Sequence, residues 1–302
     1  MGVAWLRCVF PPIATAFAPD GPLRPPPARF LEHLREGGLD GVVALGSNGE
    51  AAQLTDGERL EWIRSVRTAL PAPLRLIAGT GAESTRATIA RTRAAATEGA
   101  QAALVIAPSY FRAQLTADAL RAHYHGVADA SPIPILIYNV PVHMGYDLGA
   151  EWITRLTDHP NIAGLKDSSG DMARLPGLRA GLGPDFVLLA GAGEKMVDAL
   201  AAGADGAIAA LANLAPTASA GIRKAWFSGR AEEARQLQRT IAPLGEALTR
   251  GYGVPGLKAA LQMLGFDHGD PRPPLPPLPA RDRPKLHRLL EEAQLMPRAL
   301  AS

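Results

Sequence analysis

Eight short apolar runs, each followed by a longer amphipathic stretch, recur along most of this chain. The runs fall at 8–14, 41–45, 75–78, 102–107, 134–138, 162–166, 186–190 and 206–209. The amphipathic stretches fall near 26–37, 56–70, 84–98, 116–130, 148–158, 171–181, 193–202 and 213–228. Strands of about five residues alternating with helices of ten or more indicate parallel β-α-β units, because parallel neighbours need a long crossover. Eight such units in about 220 residues suit a closed (β/α)8 TIM barrel. An open doubly wound sheet is the rival, but it seldom strings eight consecutive parallel units together.

Local signals agree with the helix assignments. Thr55 followed by Glu58 makes a capping box ahead of 59–70, and Thr116 is placed to cap the next helix but one. Gly99, Gly181 and Gly203 stand just past helix ends, where a left-handed residue is expected. After residue 230 the alternation stops, and 231–250, 255–264 and 281–296 read as helices. They are separated by 251–253 and by the Pro-rich stretch 271–279, which is expected to be a rigid connector. The expected division is a barrel over 1–228 and a C-terminal helical extension over 229–302.

Composition excludes several function classes. A net charge of +2 with no basic block gives no reason to expect nucleic acid or an anionic membrane surface as partner. Aromatic residues are only 5%, too few for a base-stacking platform. Cys8 is the single cysteine, so there is no disulfide framework and no cysteine-based metal site. None of the seven His makes an i, i+4 pair on a helix; His123 and His125 flank Tyr124 on different faces and are expected at the surface. No P-loop or dinucleotide fingerprint occurs. No apolar stretch approaches the ~20 residues of a membrane span, and a cytoplasmic location is the default expectation.

In a (β/α)8 barrel the residues at the C-terminal ends of the strands face the active site. Here those ends carry Thr15, 47–50, 79–81, 108–110, 138–139, 166–168, 191–193 and Ala210, a rim of polar groups and glycines. Lys166 is the most telling of them. The chain has 26 Arg and only 5 Lys among its 31 basic residues, and the first Lys is at position 166. A guanidinium stays protonated, whereas a desolvated lysine amine attacks a carbonyl to form a Schiff base. Taken singly, a strand-end lysine is most often an ordinary ion-pair or solvated residue. Tyr138 lies on the neighbouring strand, where it could relay protons to a substrate held on Lys166, and Ser47 could hold its hydroxyl. The rim glycines, Gly191 among them, would let a small carboxylate approach backbone N–H groups.

The segments 46–50 (Gly-Ser-Asn-Gly-Glu), 138–141 (Tyr-Asn-Val-Pro) and 164–168 (Gly-Leu-Lys-Asp-Ser) together resemble the dihydrodipicolinate synthase/N-acetylneuraminate lyase family. These are class I, pyruvate-dependent aldolases and synthases on a (β/α)8 barrel with a C-terminal helical extension. The likeness runs from about Val9 to Gly265. Within the family the chain is most similar to 4-hydroxy-2-oxoglutarate aldolases, at 46–50, 54–55, 58–61, 83–85, 159–162, 166–168 with 170–171, 210–213 and 253–258. Dihydrodipicolinate synthases typically carry two threonines in place of Ser47 and Asn48, and an arginine in place of His143. A neutral imidazole does not replace a bidentate guanidinium fork.

The resemblance implies roles. Lys166 forms the Schiff base with a 2-oxo acid, Tyr138 moves protons, and Ser47 and Tyr110 continue the relay, Tyr110 being supplied by a dimer partner. Asn48 and Ser168 contact the distal part of the substrate, and His143 faces the acceptor. No cofactor or metal is implied, the substrate is a small 2-oxo acid, and the assembly is a homo-tetramer built as a dimer of dimers. The expected reaction is cleavage of a 4-hydroxy-2-oxo acid, foremost 4-hydroxy-2-oxoglutarate, to pyruvate and an aldehyde such as glyoxylate. The alternatives are dihydrodipicolinate-type condensation, another 2-oxo acid lyase or dehydratase reaction on the same lysine, and a non-catalytic ligand-binding barrel.

Overall fold

The computed structural model describes residues 2–19 and 21–296. Eight parallel strands form one sheet: β1 (Val9–Phe10), β2 (Gly41–Ala44), β3 (Arg75–Gly79), β4 (Ala102–Ile106), β5 (Ile135–Asn139), β6 (Ile162–Asp167), β7 (Val187–Ala190) and β8 (Gly206–Ile208). They pair in the order β1-β8-β7-β6-β5-β4-β3-β2. The remaining seam, between β1 and β2, is closed by a parallel bridge from Pro12 to Val43, with Ile13 N donating to Val43 O and Val43 N to Pro11 O, both at 2.9 Å. The fold is a (β/α)8 barrel.

Helices surround it: α1 (Ala28–Glu36), α2 (Asp56–Ala69), α3 (Thr85–Thr97), α4 (Ala117–Ala130), α5 (Pro141–Met144), α6 (Ala150–Leu156), α7 (Leu175–Gly181), α8 (Met196–Ala201) and α9 (Pro216–Phe227). Beyond them come α10 (Ala231–Glu246), a π-helical turn (Ala247–Tyr252), α11 (Gly253–Met263) and α12 (Arg283–Glu292), with α10 packed on α9 and α12 on both α10 and α11. The strands are buried on both faces, which explains their nearly continuous apolar runs. Thr55 and Glu58 make the expected capping box, and Thr116 caps α4 through Ala119 N.

Four expectations need correction. The first strand was expected over 8–14 but its ladder covers only Val9–Phe10, because Pro11 and Pro12 have no N–H to donate. Gly99 and Gly203 take left-handed φ of +91° and +101°, but Gly181 does not. It is the last residue of α7, and a Cβ there would lie 2.8 Å from the Thr154 methyl, so close packing is what favours glycine. The break expected at 251–253 is instead a π turn running straight into α11. His123 is not on the surface. It is 6% exposed, its Nδ1 lies 2.9 Å from Thr85 Oγ1, and burial pushes its imidazole down to about 4. His125 is the half-exposed one, with Nε2 2.8 Å from Asp158.

Candidate active site

Tyr138 and Lys166 are register partners across β5 and β6, so both side chains leave the sheet on the same side. Each is 5% exposed, and the Lys166 Nζ stands 4.1 Å from the centroid of the Tyr138 ring. The negative π face helps hold a cation there. The next register pair, Asn139 and Asp167, points the other way. Asn139 Nδ2 donates to Asp167 Oδ1 and to Asp147 Oδ1, both at 2.7 Å, while its Oδ1 accepts from Leu148 N. Arg174 donates to Asp147 Oδ2 at 2.6 Å and to Leu148 O, and its Nε lies 3.8 Å from Asp167 Oδ2. This buried network ties the segments after β5 and β6 to the strand ends that carry Tyr138 and Lys166.

Ser47 arrives from the other side of the barrel mouth. Its Oγ lies 3.2 Å from the Tyr138 hydroxyl. The segment after β2 makes a tight helical turn, Ser47–Gly49, between two non-glycine residues with left-handed φ, Leu45 (+59°) and Glu50 (+53°). Such angles cost about 1–3 kcal/mol each and persist only where surrounding contacts hold them. Gly79 on β3 is required beside this turn, because a Cβ there would fall 1.9 Å from Leu45 O. Thr15 Oγ1 donates to Gly49 O at 2.6 Å. The buried Arg59 donates to Ala51 O at 2.6 Å and to Gly79 O at 3.0 Å, joining the β2 and β3 ends. Asn48 rides on the same turn, half-buried.

Ser168 and Gly191 lie together past β6 and β7. Ser168 N donates to Asn139 O at 2.8 Å and Gly191 N to Asp167 O at 2.7 Å. A Cβ on Gly191 would sit 1.9 Å from Ser168 Oγ, so glycine is obligatory there. His143 sits on α5, largely open at the rim. Loss of water around the imidazole, and then the charge of Lys166, push its pKa below the ordinary value. It is therefore neutral at neutral pH. Tyr110 is the outlier. It is 77% exposed, its ring packs edge-on to Phe111 at 4.9 Å, and Glu83 Oε2 accepts from its backbone N. Within one chain the structure gathers Lys166, Tyr138 and Ser47 and leaves Tyr110 outside them. Among the described residues no group of three or more His, Cys, Asp or Glu could hold a metal.

Sequence reasoning missed Arg59, Asp147 and Arg174. No local pattern marks them, since their partners lie on other segments.

The sequence matches the dihydrodipicolinate synthetase family over residues 6–293. The chain belongs to that family. It is 37% identical over 282 residues to a 4-hydroxy-tetrahydrodipicolinate synthase of Xanthomonas campestris, covering 93% of this chain and 92% of that one. It is 38% identical over 251 residues to a probable mitochondrial 4-hydroxy-2-oxoglutarate aldolase of Emericella nidulans, covering 82% and 81%. Among solved structures it superposes with a TM-score of 0.91 on the chloride-inhibited dihydrodipicolinate synthase of Acinetobacter baumannii complexed with pyruvate, at 32% identity, over 96% of this chain and 99% of that one. The dihydrodipicolinate synthetase family is one of lyases and aldolases, and this chain is an enzyme of that kind. Identity does not divide synthase from aldolase, since the two relatives stand within a percentage point of each other.

Proposed function

We propose that the chain is a class I aldolase that forms a Schiff base on Lys166 and cleaves a 4-hydroxy-2-oxo acid, foremost 4-hydroxy-2-oxoglutarate, to pyruvate and glyoxylate. The observation that carries this reading is the triad at the mouth, with the buried Lys166 amine against the buried Tyr138 ring and the half-buried Ser47 on the Tyr138 hydroxyl. The amine attacks the ketone carbon and water leaves, giving a protonated imine. Tyr138 takes the proton of the 4-hydroxyl as the C3–C4 bond breaks, and the aldehyde departs. The bonding pair moves into the imine as an enamine, which is protonated at C3 and hydrolysed to release pyruvate. Ser47 orients the tyrosine hydroxyl and continues the proton path.

In this reading Asn48 from the β2 turn and Ser168 and Gly191 from the ends of β6 and β7 meet the rest of the substrate. Hydrogen-bond donors from Asn48 and Ser168, and the approach left by Gly191, suit a distal carboxylate or hydroxyl. The choice of aldolase over synthase rests on Ser47, Asn48 and the neutral His143, which offers the acceptor no guanidinium fork. Tyr110 acts in this reading from a partner subunit, completing the relay across a dimer, and two dimers make the tetramer. Its exposed ring, packed edge-on to the exposed Phe111, supports that role.

The test is release of pyruvate from 4-hydroxy-2-oxoglutarate, read by coupled NADH oxidation, for wild type and Lys166→Ala side by side. Release by the wild type and none by the variant is expected. Equal release from both removes Lys166 from the chemistry. The likeness to the Xanthomonas synthase favours a second reading, dihydrodipicolinate-type condensation of pyruvate with an aldehyde. It takes the place of the first if the wild type is inert on the oxo acid but consumes pyruvate together with a carboxylate-bearing aldehyde.

A further inference from the structure

The C-terminal extension reaches the turn that carries Ser47 through a fully buried ion pair. Glu50 closes that turn. Its Oε1 lies 2.7 Å from Lys258 Nζ on α11, and the two side chains are 0% and 2% exposed. Its Oε2 accepts from the backbone N of Arg272 at 2.7 Å. Lys258 also donates to Asp270 O at 3.0 Å, and its Nζ stands 4.3 Å from the centroid of Phe17, over whose ring the Arg272 guanidinium also lies at 4.4 Å. Arg272 goes on to donate to Gln53 O at 3.1 Å and to pair with Glu58 at the start of α2. The barrel holds its own side of the turn by Thr15 on Gly49 O and Arg59 on Ala51 O. The extension holds the residue between those two points.

A buried pair of this kind is poor evidence for stability, because desolvating both ions offsets most of their attraction. Burial indeed pushes the Lys258 ammonium below its ordinary value, against the opposing pull of Glu50. What the pair does supply is direction. Two oxygens of one carboxylate meet one ammonium and one backbone N–H, and the residue so fixed is the left-handed Glu50. Three residues before it, Ser47 meets Tyr138 at 3.2 Å.

We propose that Glu50 and Lys258 are positioning residues, through which the C-terminal extension sets the Ser47 turn against the Tyr138 hydroxyl and so governs proton transfer at the site. This rests on the Schiff-base reading of Lys166 and Tyr138. It separates two steps: imine formation belongs to Lys166, whereas removal of a C3 proton from the imine needs the Tyr138–Ser47 contact in register. Relaxation of the turn by about an ångström would cost about a hundredfold in that second step.

The test uses pyruvate alone, with no acceptor. Borohydride trapping followed by mass spectrometry reads imine formation on Lys166. Loss of the methyl signal in D2O, followed by proton NMR, reads C3 proton exchange, and a thermal melt reads stability. The Glu50→Gln/Lys258→Met double variant removes both charges together, leaving no buried ion unpaired. It should trap pyruvate and melt near the wild type, yet exchange about a hundredfold more slowly, with the loss in kcat and not in KM. Glu50→Asp keeps the charge and draws it back by one methylene, and should show the same split, smaller, if the double variant does not fold. Wild-type exchange in either folded variant overturns the proposal. A wild type that pyruvate and borohydride do not label at Lys166 overturns the functional reading itself, and the proposal with it.

Discussion

Tyr138 and Lys166 stand on β5 and β6, where the parallel ladder pairs them residue to residue, whereas Ser47 and Asn48 stand on a turn whose ends, Leu45 and Glu50, take left-handed φ. On the strand side, position follows from backbone hydrogen bonds and side-chain alternation, and the Asn139–Asp167 pair on the opposite face locks the strand ends. On the turn side, position follows from groups outside the turn: the side chains of Thr15, Arg59 and Lys258 and the backbone N of Arg272. In the proposed mechanism the Lys166 amine is thus mounted on a regular strand, and the proton relay is completed by a turn that other segments hold in place. A barrel of this type varies its chemistry by changing the segments after its strands and leaving the strands alone.

The largest expected effect that tests this contrast is Tyr138→Phe. Turnover should fall by about 10²–10⁴-fold, while borohydride with pyruvate still labels Lys166, because amine and relay are separate functions. Loss of labelling in step with turnover would show that the two strand residues act as one unit. Next is Asn139→Leu, which leaves the buried Asp167 and the Asp147 carboxylate without their shared donor. A loss of about 2–3 kcal/mol in denaturant unfolding is expected. An unchanged midpoint would mean that the network is not what stiffens the strand side. Ser47→Ala removes the Tyr138 contact outright and should slow turnover about a hundredfold, as displacing the turn does, with no change in labelling or melting.

The smallest effect concerns pH. The pKa of His143 is lowered from its ordinary 6.5, so the imidazole is neutral above that value and gains charge only on the acid side of it. A cation at this place favours a distal carboxylate. KM for 4-hydroxy-2-oxoglutarate should therefore be flat from about pH 7 to 8.5 and fall, by about threefold at most, below pH 6.5. His143→Gln should abolish that fall. A KM that changes through neutrality in the wild type would place another titrating group at the acceptor end.

Much of the strand side was legible in the sequence. The eight apolar runs mark the strands because both their faces are buried, and a lone lysine at a strand end stands out in a chain that otherwise relies on arginine. The first strand was overdrawn because hydropathy does not see the missing N–H groups of Pro11 and Pro12. His123 was misplaced for a different reason. One face of α4 packs on the barrel, and nothing in the order His-Tyr-His says that the first histidine turns inward with Tyr124. The pairing of Glu50 with Lys258 and Arg272 was out of reach altogether, although both Glu50 and Lys258 lie within recognised segments.

By itself the sequence determined the barrel, the rim on which chemistry gathers, and the presence there of Lys166, Tyr138 and Ser47. These follow from local periodicity and from the rule that strand ends face the mouth, which need no knowledge of distant contacts. Only the tertiary structure decided that the Ser47 hydroxyl meets Tyr138, that Arg174 and Asn139 brace the strand ends, and that a buried carboxylate joins the active-site turn to the C-terminal helices. Those contacts join residues far apart in the chain, and their geometry is set by closure of the barrel and the packing of α11 against it, which no local pattern records.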